Sequence, residues 1–201
     1  MASNVEIANL ALTKLGAERI VSFDDPSKEA RALTAIYDLV RDDELRRHRW
    51  NFAFKRASLA ALTDAPEWGY TLQYELPSDC LRVDQVGEYF ESYLAPGIEY
   101  RGGPDMPYQI EGRRILTDIA APLVIRYIYR VTDSGQFDAS FVEALACRLA
   151  AQLAEDLSQS TGKGEQARKD YQSAIAWARR VSAIEKPPED PPDNAWLMAR
   201  L

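Results

Sequence analysis

The hydrophobic period of this chain changes twice, and that constrains its fold more than any other feature. Apolar residues first recur at helical spacing. They then alternate through the middle of the chain, and they return to helical spacing from Asp138 onward. A helix-period stretch cannot bury its stripe as a strand, nor an alternating stretch as a helix. The chain must therefore combine helices at both ends with a β block between them.

The first helix is written in "SNVEIANLALTKLG". Ser3 and Glu6 form a capping box, and Val5, Ala8, Leu12 and Leu15, with Ile7 and Ala11 beside them, make the buried stripe. Gly16 is the C-terminal stop. An extended "ERIVSF" follows. The second helix is predicted to open with Asp25 as N-cap and Pro26 at the first helical position. It carries Ala30, Leu33, Ile36, Tyr37 and Val40 on one face. Its last turn is basic, with Arg46, Arg47, His48 and Arg49, which complements the helix dipole. Trp50, Phe52 and Phe54 then alternate, so a strand is expected to begin there and run through "FKRASLAAL".

The segments "YTLQYELP", "CLRVDQVGEYF", "GIEYRGG", "PYQIEG", "RRILTD" and "PLVIRYIYRV" read as strands punctuated by Gly and Pro. Gly112 marks a hairpin, and Pro122 stands at the first residue of the strongest strand. A small antiparallel sheet or sandwich follows from this.

From Phe141 the third helix repeats Leu145, Leu149, Leu153 and Leu157 every four residues, beside Val142, Ala146, Ala150 and Ala154. Leucine beside alanine implies close packing on another helix. "STGKGE" reads as a turn, and the last helix carries Ala167, Tyr171, Ala174, Ile175, Ala178 and Val181 before Pro187. The fold class expected is α+β, a four-helix bundle with an inserted small antiparallel β domain. The bundle would take residues 1–50 and 138–185, the insertion 51–137, and an extended C-terminal tail 186–201.

The net charge is −7, from 24 basic and 31 acidic residues. That argues against a broad basic surface gripping nucleic acid, but not against a wall past which DNA slides without sticking. No apolar run suits a membrane span, and the N-terminus lacks the pattern of a secretory signal. Cys80 and Cys147 lie in unlike contexts and read as reduced, buried thiols.

The residues point to no catalytic, cofactor or metal site. His48, the single histidine, falls in a basic helix end. "GKGE" at 162–165 lacks the spacing and the preceding strand of a phosphate loop. Asp42, Asp43 and Glu44 are offered as hydrolytic carboxylates, but neighbours on a helix point about 100° apart, so a solvated helix face is the better reading. The run "RRHRWNFAFKR" interleaves cations with aromatics, as a single-strand stacking surface does. Its plainer reading buries Trp50, Phe52 and Phe54 while the arginines pair with acids. A third reading makes Arg46, Arg47 and Arg49 a subunit contact. Tyr70, Tyr74, Tyr127 and Tyr129 read as core or cross-strand residues, and Gly102, Gly103 and Pro104 as a loop tip.

One ordered set of segments is familiar. "IANLALTKLGAERIVSFDDPSKEARALTAIYDLVRDDELRRHRWNFAFKRASL" is followed by "YELPSDCLRV", "GRRILTD", "IRYIYRVTD" and "FDASFVEALACRLAAQLA". This order, over roughly residues 4–160, resembles the tail tubular protein A family, the head-to-tail adaptors of T7-like short-tailed bacteriophages. The resemblance implies a structural, non-enzymatic virion protein. It implies a homo-oligomeric ring of twelve copies in the neck of the tail, assembled in the host cytoplasm. Its partners would be the portal protein, the tail nozzle protein and the genomic DNA passing through the channel without sequence-specific binding, with no membrane. Two other functions compete: a tail-associated cell-wall or saccharide hydrolase, and a DNA-binding module built on the basic run.

The segment "EKPPEDPPDNAWLMARL" is not matched to that family. Its prolines form a semi-rigid spacer of about 25 Å. Trp196, Leu197, Met198 and Leu201 then form an apolar end suited to plug a groove on the portal or an adjacent subunit, with Trp196 as anchor. The plainer alternative folds Trp196 back on its own helices.

Overall fold

The computed structural model describes residues 2–87, 108–158 and 160–185. Its order is two helices, six strands and two helices: α1 (Asn4–Leu15), α2 (Lys28–Arg47), β1 (Phe54–Leu59), β2 (Leu72–Glu75), β3 (Cys80–Val86), β4 (Tyr108–Glu111), β5 (Arg114–Thr117), β6 (Leu123–Tyr129), α3 (Ala139–Ser158) and α4 (Thr161–Ile184). Among the described residues the fold is mixed α+β, with four helices and two small three-stranded antiparallel sheets.

The first helix forms as its sequence dictates. The Ser3 hydroxyl accepts the Glu6 amide while the Glu6 carboxylate accepts the Ser3 amide, and Gly16 ends the helix in the left-handed region at φ 65°. The Asn9 side chain holds the following extended stretch by bonding both the amide and the carbonyl of Ile20, each at 2.8 Å.

Three local expectations are corrected. Asp25 is not the N-cap of α2. Its carboxylate is committed to the amides of Val21 and Ser22, at 2.7 and 3.1 Å, and Ser27 caps the helix by accepting from Ala30. No strand begins at Trp50: Asn51–Ala53 form a single 3₁₀ turn and β1 starts at Phe54. The alternation of Trp50 and Phe52 instead delivers both rings to the helical core. There Phe141 meets Trp50, Phe52 and Phe137 at centroid distances of 4.9, 5.1 and 5.0 Å.

"TGKGE" is not a turn either, because α4 begins at Thr161 behind a Ser160 cap. Two glycines cost about 1 kcal/mol each in a helix, but packing offsets them. Lys163 reaches back to donate to the Leu15 carbonyl at 2.8 Å and closes the C-terminal end of α1.

α3 is the most buried helix. Phe141, Leu145, Leu149, Ala146 and Ala150 are fully enclosed, and α1, α2 and α4 all pack against it. Cys80 and Cys147 are buried free thiols, and burial raises both above the ordinary thiol pKa.

The sheets have the orders β1-β6-β3 and β2-β5-β4. β4 and β5 form the hairpin at Gly112, whose φ is 57°. β6 is the shared wall. Leu123, Ile125 and Tyr127 join Tyr74 and Ile115 of the other sheet in one sandwich core, whereas Ile128 joins the core of the helices.

Gly164 tests the helical start of α4. It sits in α4 where an added Cβ would lie 3.6 Å from that of Ala154, an ordinary contact. Gly164→Ala should therefore raise the unfolding free energy by about 0.5–1 kcal/mol in urea titrations. A loss of stability would contradict a helical residue there.

Candidate functional site

The acidic triplet at the end of α2 is a charge network, not a solvated face. Its carboxylates do point apart, as adjacent helical residues must, but each direction ends on an arginine. Asp42 accepts from Arg41 at 2.8 Å and from Arg130, just after β6, at 2.6 Å. Asp43 accepts from Arg47 at 2.9 Å and from Arg148 of α3. Glu44 is fully buried, and its Oε2 accepts from Arg148 at 2.6 Å and from the Tyr171 hydroxyl of α4 at 2.8 Å. Trp50 donates its indole N–H to the Glu44 carbonyl at 3.0 Å. Glu44 Oε1 is buried with no hydrogen-bond partner among the described residues.

The electrostatics follow from this geometry. Burial opposes the charge on Asp43, but Arg148 and Arg47 outweigh it and hold its carboxyl below the usual range. Burial likewise opposes the charge on Arg148, and Asp43 and Glu44 overcome it and raise its pKa. Burial, with the hydrogen bond to Glu44, pushes Tyr171 up to about 12. A general acid or base needs a titratable group within reach of a substrate. Each of these carboxylates is engaged by at least one guanidinium group, and the network acts as a clamp joining α2, α3 and α4.

The basic run divides. Arg47 turns back to Asp43 and belongs to the clamp. Arg46 and Arg49 turn the other way, toward β3: Arg46 donates to the Leu81 carbonyl, and Arg49 pairs with Asp84 at 2.8 Å. Asp84 also receives Arg126 at 2.8 Å. Phe54 lies beneath Arg49 and Arg126, at 5.8 and 5.1 Å from the ring centroid. His48 stacks edge-on against Trp50 at 4.7 Å. The plain reading of this run therefore describes the aromatics and part of the arginines. Trp196, Leu197, Met198 and Leu201, with Gly102, Gly103 and Pro104, lie outside the described residues.

At the far end of the β block a shallow cleft of about 410 Å³ is lined by Asp64, Glu67, Trp68, Gln109, Glu111 and Arg114. Trp68 is 85% exposed. Tyr70 lines the same cleft, while Tyr74 is buried and donates to the Ile119 carbonyl at 2.6 Å. Among the described residues, no three His, Cys, Asp or Glu side chains are grouped to hold a metal ion, and no helix is long and apolar enough to cross a membrane.

Sequence reasoning passed over Arg148, Asp84 and Arg126, and read Tyr171 only as part of the apolar face of the last helix. A signal existed for Arg148: it is the one cation between Ala139 and Ala154, inside the leucine–alanine face, where a charge must be paired. Nothing in the strand pattern marks Asp84 or Arg126. In comparisons with known proteins, no protein-family model matches this chain and no curated protein matches it.

Removing Arg148 would leave the buried Glu44 carboxylate without its counter-charge. Arg148→Met should cost about 3–5 kcal/mol in urea unfolding, and Glu44→Gln in the same chain should return part of it. A loss below about 1 kcal/mol would show the pair to be dispensable. The tyrosine gives a pH test. Its folded pKa lies above the unfolded value of about 10, so its contribution to stability is complete below pH 10 and is lost as pH rises toward 12. Tyr171→Phe should flatten this alkaline decline, although buried Tyr37 and Tyr127, also shifted upward, keep part of it. An unchanged slope would refute the coupling.

Proposed function

We propose that this chain is the subunit of a head-to-tail adaptor ring, joining a portal to a tail nozzle around a DNA channel. The reading rests first on the ordered segments that resemble the tail tubular protein A family. The finer architecture, a four-helix bundle carrying the β block as an insertion, belongs to the same proposal, as do the twelve-fold ring and its place in the virion.

The observation that carries it is the outer face of α4. Trp177 and Ile184 are 59% and 76% exposed and lie seven residues apart, on one side of the helix. Leu39 on α2 is 72% exposed. Large apolar side chains placed this way suit a heterologous contact, in which one face of a subunit meets a different face of the next and the rotation closes a ring. Trp68 offers a second aromatic contact at the opposite end of the chain's β block. A net acidic ring would let DNA pass without adhesion.

The hydrolase alternative was built on Asp42, Asp43 and Glu44, and those carboxylates are engaged by arginines. The DNA-binding alternative keeps the arginines around Asp84. It predicts a gel shift that weakens steeply with salt.

Trp177→Ser with Ile184→Ser should leave the thermal midpoint of the isolated chain nearly unchanged and weaken assembly at least about tenfold, the effect of about 1.4 kcal/mol at a contact. Light scattering across a concentration series reads this directly. Assembly of undiminished strength would remove α4 from the contact.

A further inference from the structure

The arginines that face Asp84 form a larger group than the sequence run suggests. Arg46 comes from the last turn of α2, Arg49 from the link just after it, Arg82 from β3 and Arg126 from β6. Arg56 on β1 stands directly opposite Arg126 in the strand register. Like charges in such a cross-strand pair repel. Burial, and next to it the proximity of Arg46 and Arg49, lowers the Arg82 pKa despite the counter-charge of Asp84. Arg49 and Arg126 pair with Asp84, Arg82 lies in its field with Arg46 beside it, and Arg56 is the cross-strand neighbour of Arg126: five arginines grouped around one aspartate, a local surplus of four positive charges in a chain whose net charge is −7. Arg46, Arg49 and Arg56 are exposed. Such a face calls for an anion.

The chain supplies one nearby. Asn51, two residues beyond Arg49, donates to the Ser182 carbonyl at 2.8 Å and to the Glu185 carboxylate at 3.0 Å. The C-terminal end of α4 is therefore fastened to the chain two residues from Arg49. The residues that follow carry Glu189, Asp190 and Asp193 among Pro187, Pro188, Pro191 and Pro192. At the rise of an extended proline-rich chain, Glu189 falls ~12 Å beyond Glu185 and Asp193 ~25 Å beyond it. Three carboxylates at that spacing have the reach to cross a face built from three strands and a helix end. The prolines also reduce the ordering cost that a flexible segment would meet.

We propose that residues 186–193 dock across the arginine face of their own chain, with Glu189, Asp190 and Asp193 answering Arg46, Arg49, Arg56, Arg82 and Arg126. The clasp fixes the direction in which the apolar end led by Trp196 leaves the subunit. It is a property of the single chain and does not depend on the adaptor reading.

A nitroxide label reports it in the full-length protein. Asn194→Cys places the label just past the clasp, and Cys80 and Cys147 are buried away from the reagent. At low salt the spin-label spectrum should show an immobilised component. That component should fall by more than half at about 1 M salt, where screening acts within ~3 Å. It should fall equally in Glu189→Gln/Asp190→Asn/Asp193→Asn, which alters no residue of the folded body. Arg46→Glu/Arg56→Glu should abolish it, and adding Glu189→Lys/Asp190→Lys/Asp193→Lys should restore it. A label mobile at low salt in the unmodified sequence overturns the proposal. So does immobilisation indifferent to all these charges, which would assign the contact to the apolar end. If labelled Arg46→Glu/Arg56→Glu chains become immobilised on mixing with unlabelled unmodified chains, the face of a second copy holds the tail and the intrachain clasp is wrong.

Discussion

Glu44 is the constraint around which the helical part of this protein is arranged. A carboxylate with no exposed surface must be paired or it will not remain charged. The pairing here comes from Arg148 of α3, with a hydroxyl from Tyr171 of α4. Such a pair adds little net stability, because desolvation consumes most of the Coulombic gain. Its consequence is geometric. α2 can meet α3 and α4 in one register only, since a slip of either helix would strand a charge in the core. The indole N–H of Trp50 bonds the carbonyl of that same residue, so the aromatic group around Phe141 is set by the same register.

β6 carries this order into the sheets. Its alternation gives one side to the sandwich core and the other to the helical core and the arginine face. Arg126 reaches Asp84 beside Arg49, and Arg130 reaches Asp42. Charge is thereby sorted within the chain. The acids of α2 are neutralised at the helical junction, and a cationic surplus gathers on the adjoining sheet face although the molecule as a whole is acidic. Charge here orients the elements against one another.

The period changes carried the order of elements, because burying a stripe or an alternate face is a local demand that the residues themselves state. The cap of α2 was ambiguous because Asp25, Pro26 and Ser27 offer two good caps, and only the Val21 and Ser22 amides decide between them. "TGKGE" looked like a turn because its glycines are local while the packing that overrides them is not. The clamp was invisible for a related reason: Asp43 and Glu44 find their partner more than a hundred residues away. The arginine face is assembled from one helix end and three strands, and no window of sequence contains it.

The most direct test of the adaptor account is electron cryo-microscopy of the full-length protein mixed with the cognate portal protein. The account predicts closed rings of one fixed copy number, stacked on one face of the portal around an open channel, with α4 at or beside the contact between neighbours. Particles that remain monomeric in the presence of portal would contradict it.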